Sequence, residues 1–381
     1  MEEEKVRLGI IGMGEMGTKY AKMLLENDPN FLIVAITRIK DFRLESLKPL
    51  LNSDVKIYQS GEELIANAKK DLGVEAVLIV TPHYYHPTLI KQALETDLYV
   101  LCDKPVGVKI NDVRPLFNCD TKKLGFIFQQ REYESHKIIK QMIESKAYGD
   151  LKRFSYIVTD WYRTNYYYTK DSWRGSYQYE GGGIIINQCA HNIDFLVTLF
   201  GLPQEVRSVL HYKRYHEMSA EDEVTAYFEY QNQFNGLLVA STGETPGVNR
   251  LEISFAKALV TMYKDKIEVI ENEYLEDYYR NLKETDIKST TKTIITNDNN
   301  KASYLAYFKN FYQMIKLGES PKVSLEDAIR GLMLSNSIYL SGFTAQKVNI
   351  YDMFTKEEIA NANLLDEEFA KRIELEKENS K

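Results

Sequence analysis

Val6-Arg7-Leu8-Gly9-Ile10-Ile11-Gly12-Met13-Gly14-Glu15-Met16-Gly17 is the stretch that decides the fold of this chain. Val6 to Ile11 is a short apolar run suited to a buried strand. Thr18 to Asn27 then sets Tyr20, Ala21, Leu24 and Leu25 at helical spacing. Between them Gly12, Gly14 and Gly17 spell G-x-G-x-x-G. The first glycine permits a tight turn, the second lets a pyrophosphate approach the backbone, and the third lets the helix pack closely on the strand. The helix N-terminus then faces the anion. A glycine turn without a ligand is the plainer reading; the strand–turn–helix setting favours dinucleotide binding, with Met13, Glu15 and Met16 in the same turn.

Outward from this motif, apolar runs near 31–36, 76–81, 98–102 and 124–129 alternate with helical patterns at Gly61–Lys70 and Pro87–Glu95. Such alternation predicts a doubly wound parallel sheet over residues 1–125. The second strand ends Thr37-Arg38-Ile39-Lys40, with no acid before Asp41. A carboxylate there accepts from the adenosine ribose and repels a 2′-phosphate, whereas a basic residue does the reverse. NADP(H) is therefore expected over NAD(H), with Thr37 and Arg38 at the phosphate; the rival is an exposed arginine with no ligand. Ligands of such sheets lie beyond the C-terminal strand ends, where Gly12, Thr81-Pro82 and Asp103-Lys104-Pro105 fall. That places Lys104 beside a nicotinamide. His83 and His86 suggest a metal pair, but no acidic or sulfur ligand accompanies them, and a structural or cofactor-facing loop fits better.

The composition suits a soluble two-domain enzyme of 381 residues with net charge −7 and dispersed Lys and Arg, so nothing argues for nucleic acid. No apolar stretch approaches membrane-spanning length, and Met1-Glu2-Glu3-Glu4-Lys5 lacks the apolar region of a signal peptide. Cys102, Cys119 and Cys189 match neither a disulfide framework nor a zinc spacing, so a reducing cytoplasm and no metal are expected.

Residues 126–350 change pattern. Strand-like runs at 151–160, 205–212, 223–230, 234–242, 250–255, 258–263 and 266–271 predict a mostly antiparallel sheet in an α+β domain. Leu325–Lys347 has helical periodicity, and residues 351–381 form a charged tail, read from Lys356 onward as a solvated helix or frayed end. Between the domains runs Trp161-Tyr162-Arg163-Thr164-Asn165-Tyr166-Tyr167-Tyr168, then Ser172-Trp173-Arg174-Gly175. Aromatic faces edged by hydroxyls and guanidinium suit a carbohydrate. They suit a subunit interface equally well.

Gly181-Gly182-Gly183-Ile184-Ile185-Ile186-Asn187-Gln188-Cys189-Ala190-His191-Asn192-Ile193-Asp194 follows. On a helix, Asn187 and His191 would share one face a turn apart. Alone this is a packed helix entry. With the fingerprint, the Thr81-Pro82 loop and Asp103-Lys104-Pro105 in the same order, the chain resembles the Gfo/Idh/MocA oxidoreductases over nearly its whole length. The resemblance implies a Rossmann domain followed by an open-sheet domain that mediates homodimers or homotetramers, and a cis peptide before Pro105. It also implies reversible oxidation of a secondary hydroxyl on a sugar, inositol or glycoside, with Lys104, Asn187 and His191 facing the nicotinamide. Gln130, Trp173 and Arg174 join the expected cofactor set; Arg131, Tyr162, Arg163 and Tyr168 join the substrate set.

The chemistry fits these residues. Histidine is the residue type whose unperturbed pKa lies near neutrality, so His191 suits a base for the O–H proton. Lys104 can donate to the same oxygen and stabilise alkoxide charge. Asn187, where the family more often has aspartate, can orient but adds no charge, which leaves both His191 and Lys104 open as the main proton carrier. Two other classes remain: a glycosidase that oxidises transiently on a tightly bound NAD, and a non-catalytic NADPH-binding sensor.

Overall fold

The computed structural model describes residues 5–28, 30–51, 54–169, 173–231, 233–282, 287–353 and 360–379. Residues 1–4, Ser172 of the aromatic tract and Lys356 at the start of the tail lie outside them. The chain divides into two compact units.

The first unit comprises residues 1–129 and 300–332. Its elements are β1 (Val6–Ile11), α1 (Glu15–Asn27), β2 (Phe31–Thr37), α2 (Asp41–Leu47), β3 (Lys56–Tyr58), α3 (Gly61–Leu72), β4 (Ala76–Ile79), α4 (His86–Glu95), β5 (Tyr99–Asp103) and β6 (Leu124–Ile127). The six strands pair in the order β3-β2-β1-β4-β5-β6, all parallel. The predicted doubly wound sheet is present, with β3 as an added edge strand of three residues. Both faces are covered, so the strands are buried nearly end to end rather than in alternation. Strand order reverses between β1 and β4, the crevice where such sheets hold ligands.

Residues from far along the chain complete this unit. The helix Asn300–Leu317 sets Tyr304 and Phe308 edge-on against Tyr20 of α1, with centroids 5.1 and 5.8 Å apart, and stacks Phe311 on Phe31 at 6.1 Å. Lys316 of the same helix pairs with Glu75 at 2.8 Å.

The second unit comprises residues 130–299 and 333–381. Among the described residues its sheet has nine strands: β7 (Leu151–Val158), β8 (Glu205–Tyr212), β9 (Glu221–Tyr230), β10 (Phe234–Ser241), β11 (Asn249–Phe255), β12 (Ala258–Tyr263), β13 (Lys266–Asn272), β14 (Ser289–Ile295) and β15 (Val348–Asn349). Their order is β14-β13-β12-β11-β7-β10-β9-β8-β15, antiparallel except where β7 meets β10. The seven predicted runs are all strands; β14 and β15 are the additions, at the two edges.

One sheet face is packed. Phe154 stacks on Phe200, and Tyr156 meets Phe195, both partners on the helix Ala190–Phe200. The other face carries a cross-strand row, Val209–Thr225–Val239–Ile157–Arg250–Tyr263, with Val209, Ile157 and Tyr263 exposed.

The charged tail departs from the expectation of a solvated helix. Residues Ala360–Asn379 form a helix that buries Ala362, Leu365, Phe369 and Glu376. Phe369 packs edge-on against Tyr177, Tyr339 and Phe343, each at 5.5 Å. A thin stripe of small and apolar residues among many charges is enough to dock it. No described helix is long and apolar enough to cross a membrane.

Candidate functional site

The first unit gathers its candidate residues at the strand ends. Gly12 follows β1 with φ +98°, and a Cβ there would stand 2.5 Å from the Val80 carbonyl oxygen. A Cβ on Gly17 would stand 2.0 Å from the Gly12 oxygen. Gly14 instead faces open space, with no atom within 4 Å of where its Cβ would be, and no side chain caps α1. The first and third glycines therefore answer to packing, and the second leaves the helix N-terminus accessible to an anion. Met13 is buried and Glu15 exposed, with Met16 between the two. The donors fit a pyrophosphate: backbone N–H groups at the start of a thirteen-residue helix, with no carboxylate capping them.

Thr37, the last residue of β2, is buried, and its hydroxyl oxygen accepts the Gly12 N–H at 2.9 Å. Thr37 thus ties the fingerprint turn to β2. Arg38 is exposed just beyond it, and its N–H donates to the Tyr58 carbonyl at 2.8 Å, which anchors the backbone and leaves the guanidinium to reach outward.

His86 is fully buried between two loops. Its Nδ1 lies 2.7 Å from the Pro105 oxygen and its Nε2 2.8 Å from the Thr81 oxygen. The ring spans the Thr81-Pro82 and Lys104-Pro105 turns, joining the C-terminal ends of β4 and β5. Burial lowers its pKa, while the two carbonyl acceptors and Asp103 oppose that shift. His83 is also buried, its ring 6.0 Å from that of His86. Both ring nitrogens of His86 lie against carbonyl oxygens, so it serves as a strut between the two turns. The peptide before Pro105 is cis. Asp103 accepts from the Tyr20 hydroxyl at 3.1 Å and from the Lys104 N–H at 3.0 Å; burial raises its pKa, opposed by Lys104 and His86. Lys104 itself is half-buried.

The second unit carries a separate group of candidate residues. The helix begins only at Ala190, so His191 sits in its first turn, whereas Asn187 lies before it, in a series of turns. The expectation that the two share a helix face is corrected. Position 183 admits only glycine here, since a Cβ on it would stand 2.0 Å from the Glu221 carbonyl oxygen. The Glu221 carboxylate also takes the N–H groups of Gly183 and Ile185 at 3.0 and 3.1 Å, holding the backbone in turns.

Three buried carboxylates organise this segment, and sequence reading missed all of them. Glu221 also accepts from the hydroxyls of Tyr177 at 2.9 Å and Tyr339 at 2.8 Å; burial raises its pKa and these donors oppose the shift. Glu376 of the tail helix takes the N–H of Tyr177 at 2.7 Å, the N–H of Gln178 at 3.1 Å and the Ser176 hydroxyl at 2.9 Å. Glu180 accepts from the Gly175 N–H and from Asn187 Nδ2. Backbone in turns has no ladder partners, and carboxylates satisfy it with charge-assisted bonds.

Around them the aromatic tract is ordered by cations. The guanidinium groups of Arg163 and Arg174 lie over the Tyr167 ring, 4.9 and 4.1 Å from its centroid, and Arg174 also donates to the Tyr167 hydroxyl. Arg174 lies 4.6 Å from the ring of Trp173 as well. Trp161 Nε1 donates to Asn192, whose amide donates to Tyr156 at 2.7 Å. Tyr162 is exposed; Tyr168 is buried, its hydroxyl pKa raised by burial. His216, outside every motif, packs 4.9 Å from the Tyr168 ring, with Asn165 and the Thr242 carbonyl at its nitrogens.

Arg131 and Asp194 form a bidentate pair, with N–O distances of 2.8 and 2.6 Å. The planar fork of Arg131 is thereby committed to protein, and Gln130 beside it is half-buried.

Residues 6–128 match the model of an oxidoreductase family with an NAD-binding Rossmann fold, and residues 136–261 match that of a GFO/IDH/MocA C-terminal domain. Myo-inositol 2-dehydrogenase of Thermotoga maritima is 24% identical over 361 residues, 90% of this chain and 96% of its own. The WlbA dehydrogenase of Bordetella pertussis, solved with NADH and UDP-GlcNAcA, superposes with TM-score 0.73 at 18% identity, over 91% of this chain and 99% of that one. Levoglucosan dehydrogenase, solved with NADH and levoglucosan, gives 0.73 and 18% over 91% and 100%. At that identity the two solved structures speak to fold.

Proposed function

The chain belongs to the Gfo/Idh/MocA oxidoreductase family, and from that premise we propose that it interconverts a secondary hydroxyl and a ketone on a sugar, inositol or glycoside, with NADP(H) as the favoured cofactor. The observation that carries this is the uncapped N-terminus of α1 behind the open face of Gly14, a place for a dinucleotide pyrophosphate. The substrate class is supported by the name of a relative that spans most of the chain, a myo-inositol 2-dehydrogenase.

The bound nicotinamide would take or give hydride at the substrate carbon. The work of the chain is then positional and protonic. Lys104 donates a hydrogen bond to the substrate oxygen and stabilises its negative charge; His191 takes or returns the hydroxyl proton. Asn187 orients the substrate through its amide. His86 holds the two loops from which Thr81-Pro82 and Lys104 project. Lys104→Ala and His191→Ala should each lower kcat by roughly 10²–10⁴ and leave cofactor affinity within a few-fold. Near-normal turnover in either variant removes that residue from the mechanism.

Preference for NADP(H) rests on Arg38, since a guanidinium pairs with a 2′-phosphate and no acid precedes Asp41 to repel it. Assembly rests on the open face of the second sheet, where Val209, Ile157 and Tyr263 stand exposed. A second copy covering it would give a homodimer, or a homotetramer by a further contact. Light scattering that finds only monomer at micromolar concentration counts against this.

A further inference from the structure

We propose that Glu180 carries, one hydrogen bond away, the negative charge that Asn187 lacks, and that position 187 holds an amide because Glu180 already holds a carboxylate. Its bearing on catalysis rests on the reading of Asn187 as substrate-facing; the pairing itself does not.

Glu180 is 1% exposed. One oxygen accepts from Asn187 Nδ2 and the other from the Gly175 N–H. The backbone that presents it is tightly held, because the Ser176 carbonyl takes the N–H groups of Glu180 and Gly181 at 3.0 Å each and of Gly182 at 3.3 Å. The carboxylate therefore has a fixed address. An amide at 187 donates to it. An aspartate at 187, a half-buried position, would set a second carboxylate against the buried Glu180, and one of the two would have to take up a proton. Among the described residues, the titratable and charged groups near the pair include Tyr167, whose hydroxyl lies 3.5 Å from Asn187 Nδ2, Tyr168, and the guanidinium groups of Arg163 and Arg174 over the Tyr167 ring. These cations attract whichever partner bears the charge and do not choose between positions 180 and 187. The contact itself chooses.

Geometry also predicts a reversal. A glutamine at 180 could keep its oxygen on the Gly175 N–H and turn its amide nitrogen toward an aspartate at 187. Glu180→Gln/Asn187→Asp would then hold the same charge with the hydrogen bond running the other way.

The test is a four-member set: wild type, Glu180→Gln, Asn187→Asp and the double variant, with Tm measured from pH 5 to 9. Asn187→Asp alone should have a Tm that falls as pH rises, since the shared proton of the pair has a folded pKa above its unfolded value and its loss costs stability. Wild type and the double variant should lack that slope, and the double variant should regain most of the Tm lost by Asn187→Asp. A packing role would not produce a pH-dependent loss that a second, charge-removing change cancels. Recovery of soluble protein by the double variant where Asn187→Asp fails to fold counts in favour. Additive losses of Tm, or the same slope in the double variant, overturn the pairing. Turnover of NADP⁺ with myo-inositol is read separately. Coupled Tm with equal turnover in all four proteins would uphold the pair and remove position 187 from the catalytic set.

Discussion

Two glycine-rich segments invite the same interpretation and turn out to be opposites. The Gly12–Gly17 turn of the first unit ends in a helix whose first N–H groups have no side-chain cap, with open space at Gly14. The Gly175–Gly183 segment of the second unit has its N–H groups taken by the protein's own anions: Glu180 at Gly175, Glu376 at Tyr177 and Gln178, and Glu221 at Gly183. One is a socket for an anion from outside; the other is already filled from within. A glycine cluster alone therefore does not identify a ligand site. What identifies it is whether the chain brings its own acceptor.

The comparison can be broken first at the filled segment. Glu221→Ala should destabilise the second unit by about 4 kcal/mol or more, because two N–H groups and two tyrosine hydroxyls lose a charged acceptor in a buried place. Trp161 and Trp173, the chain's two tryptophans, both lie in that unit, so urea unfolding followed by fluorescence reports on it. A loss under about 1 kcal/mol would mean that the segment does not depend on its internal anion. At the socket the largest change should come from Arg38→Asp. Wild type should prefer NADP(H) by roughly 10–150-fold, as one charge-assisted bond provides, and the variant should reverse the preference. If kcat/KM for the two cofactors shows a wild-type preference for NAD(H), the assignment of Arg38 fails. The smallest effect, and the sharpest contrast, belongs to Gly14→Ala. The added methyl meets nothing in the protein, so stability should stay within about 1 kcal/mol. Cofactor Kd should rise about tenfold, roughly 1.4 kcal/mol, since the methyl occupies the ligand's side of the turn. Unchanged Kd by fluorescence titration would place the pyrophosphate elsewhere.

The fold was legible where periodicity and burial agree. Strands β1, β2, β4, β5 and β6 are mostly apolar and buried, and β7 to β13 largely alternate, so both patterns point to the right sheet type. The omissions have physical causes. β3 and β15 are three and two residues long, and β14, Ser289–Ile295, is exposed almost throughout, so no buried face patterns it. The tail helix hides four buried positions among many charges. At the site, the fingerprint and Asp103-Lys104-Pro105 lie contiguous in sequence and were readable as words. Asn187 and His191 are spaced as one helical turn, but the turns before Ala190 are held by Glu221, 38 residues away from Gly183. Glu180 stands immediately before the glycine run, where an acid beside a flexible segment usually signals solvent. Its burial is a tertiary fact.

Neither unit is continuous in sequence, and this bears on the order in which the molecule can be made. Tyr177 waits for a carboxylate that leaves the ribosome 199 residues later, and the aromatic seat of Tyr20 waits for Tyr304 and Phe308. Translation adds roughly 5–20 residues per second, so the N–H groups of Tyr177 and Gln178 spend on the order of ten seconds or more without the Glu376 carboxylate. The parallel sheet can start to assemble during that interval, but the helix Asn300–Leu317 that seals it arrives late. Synthesis runs from one end to the other, whereas consolidation has to wait for the last third of the chain.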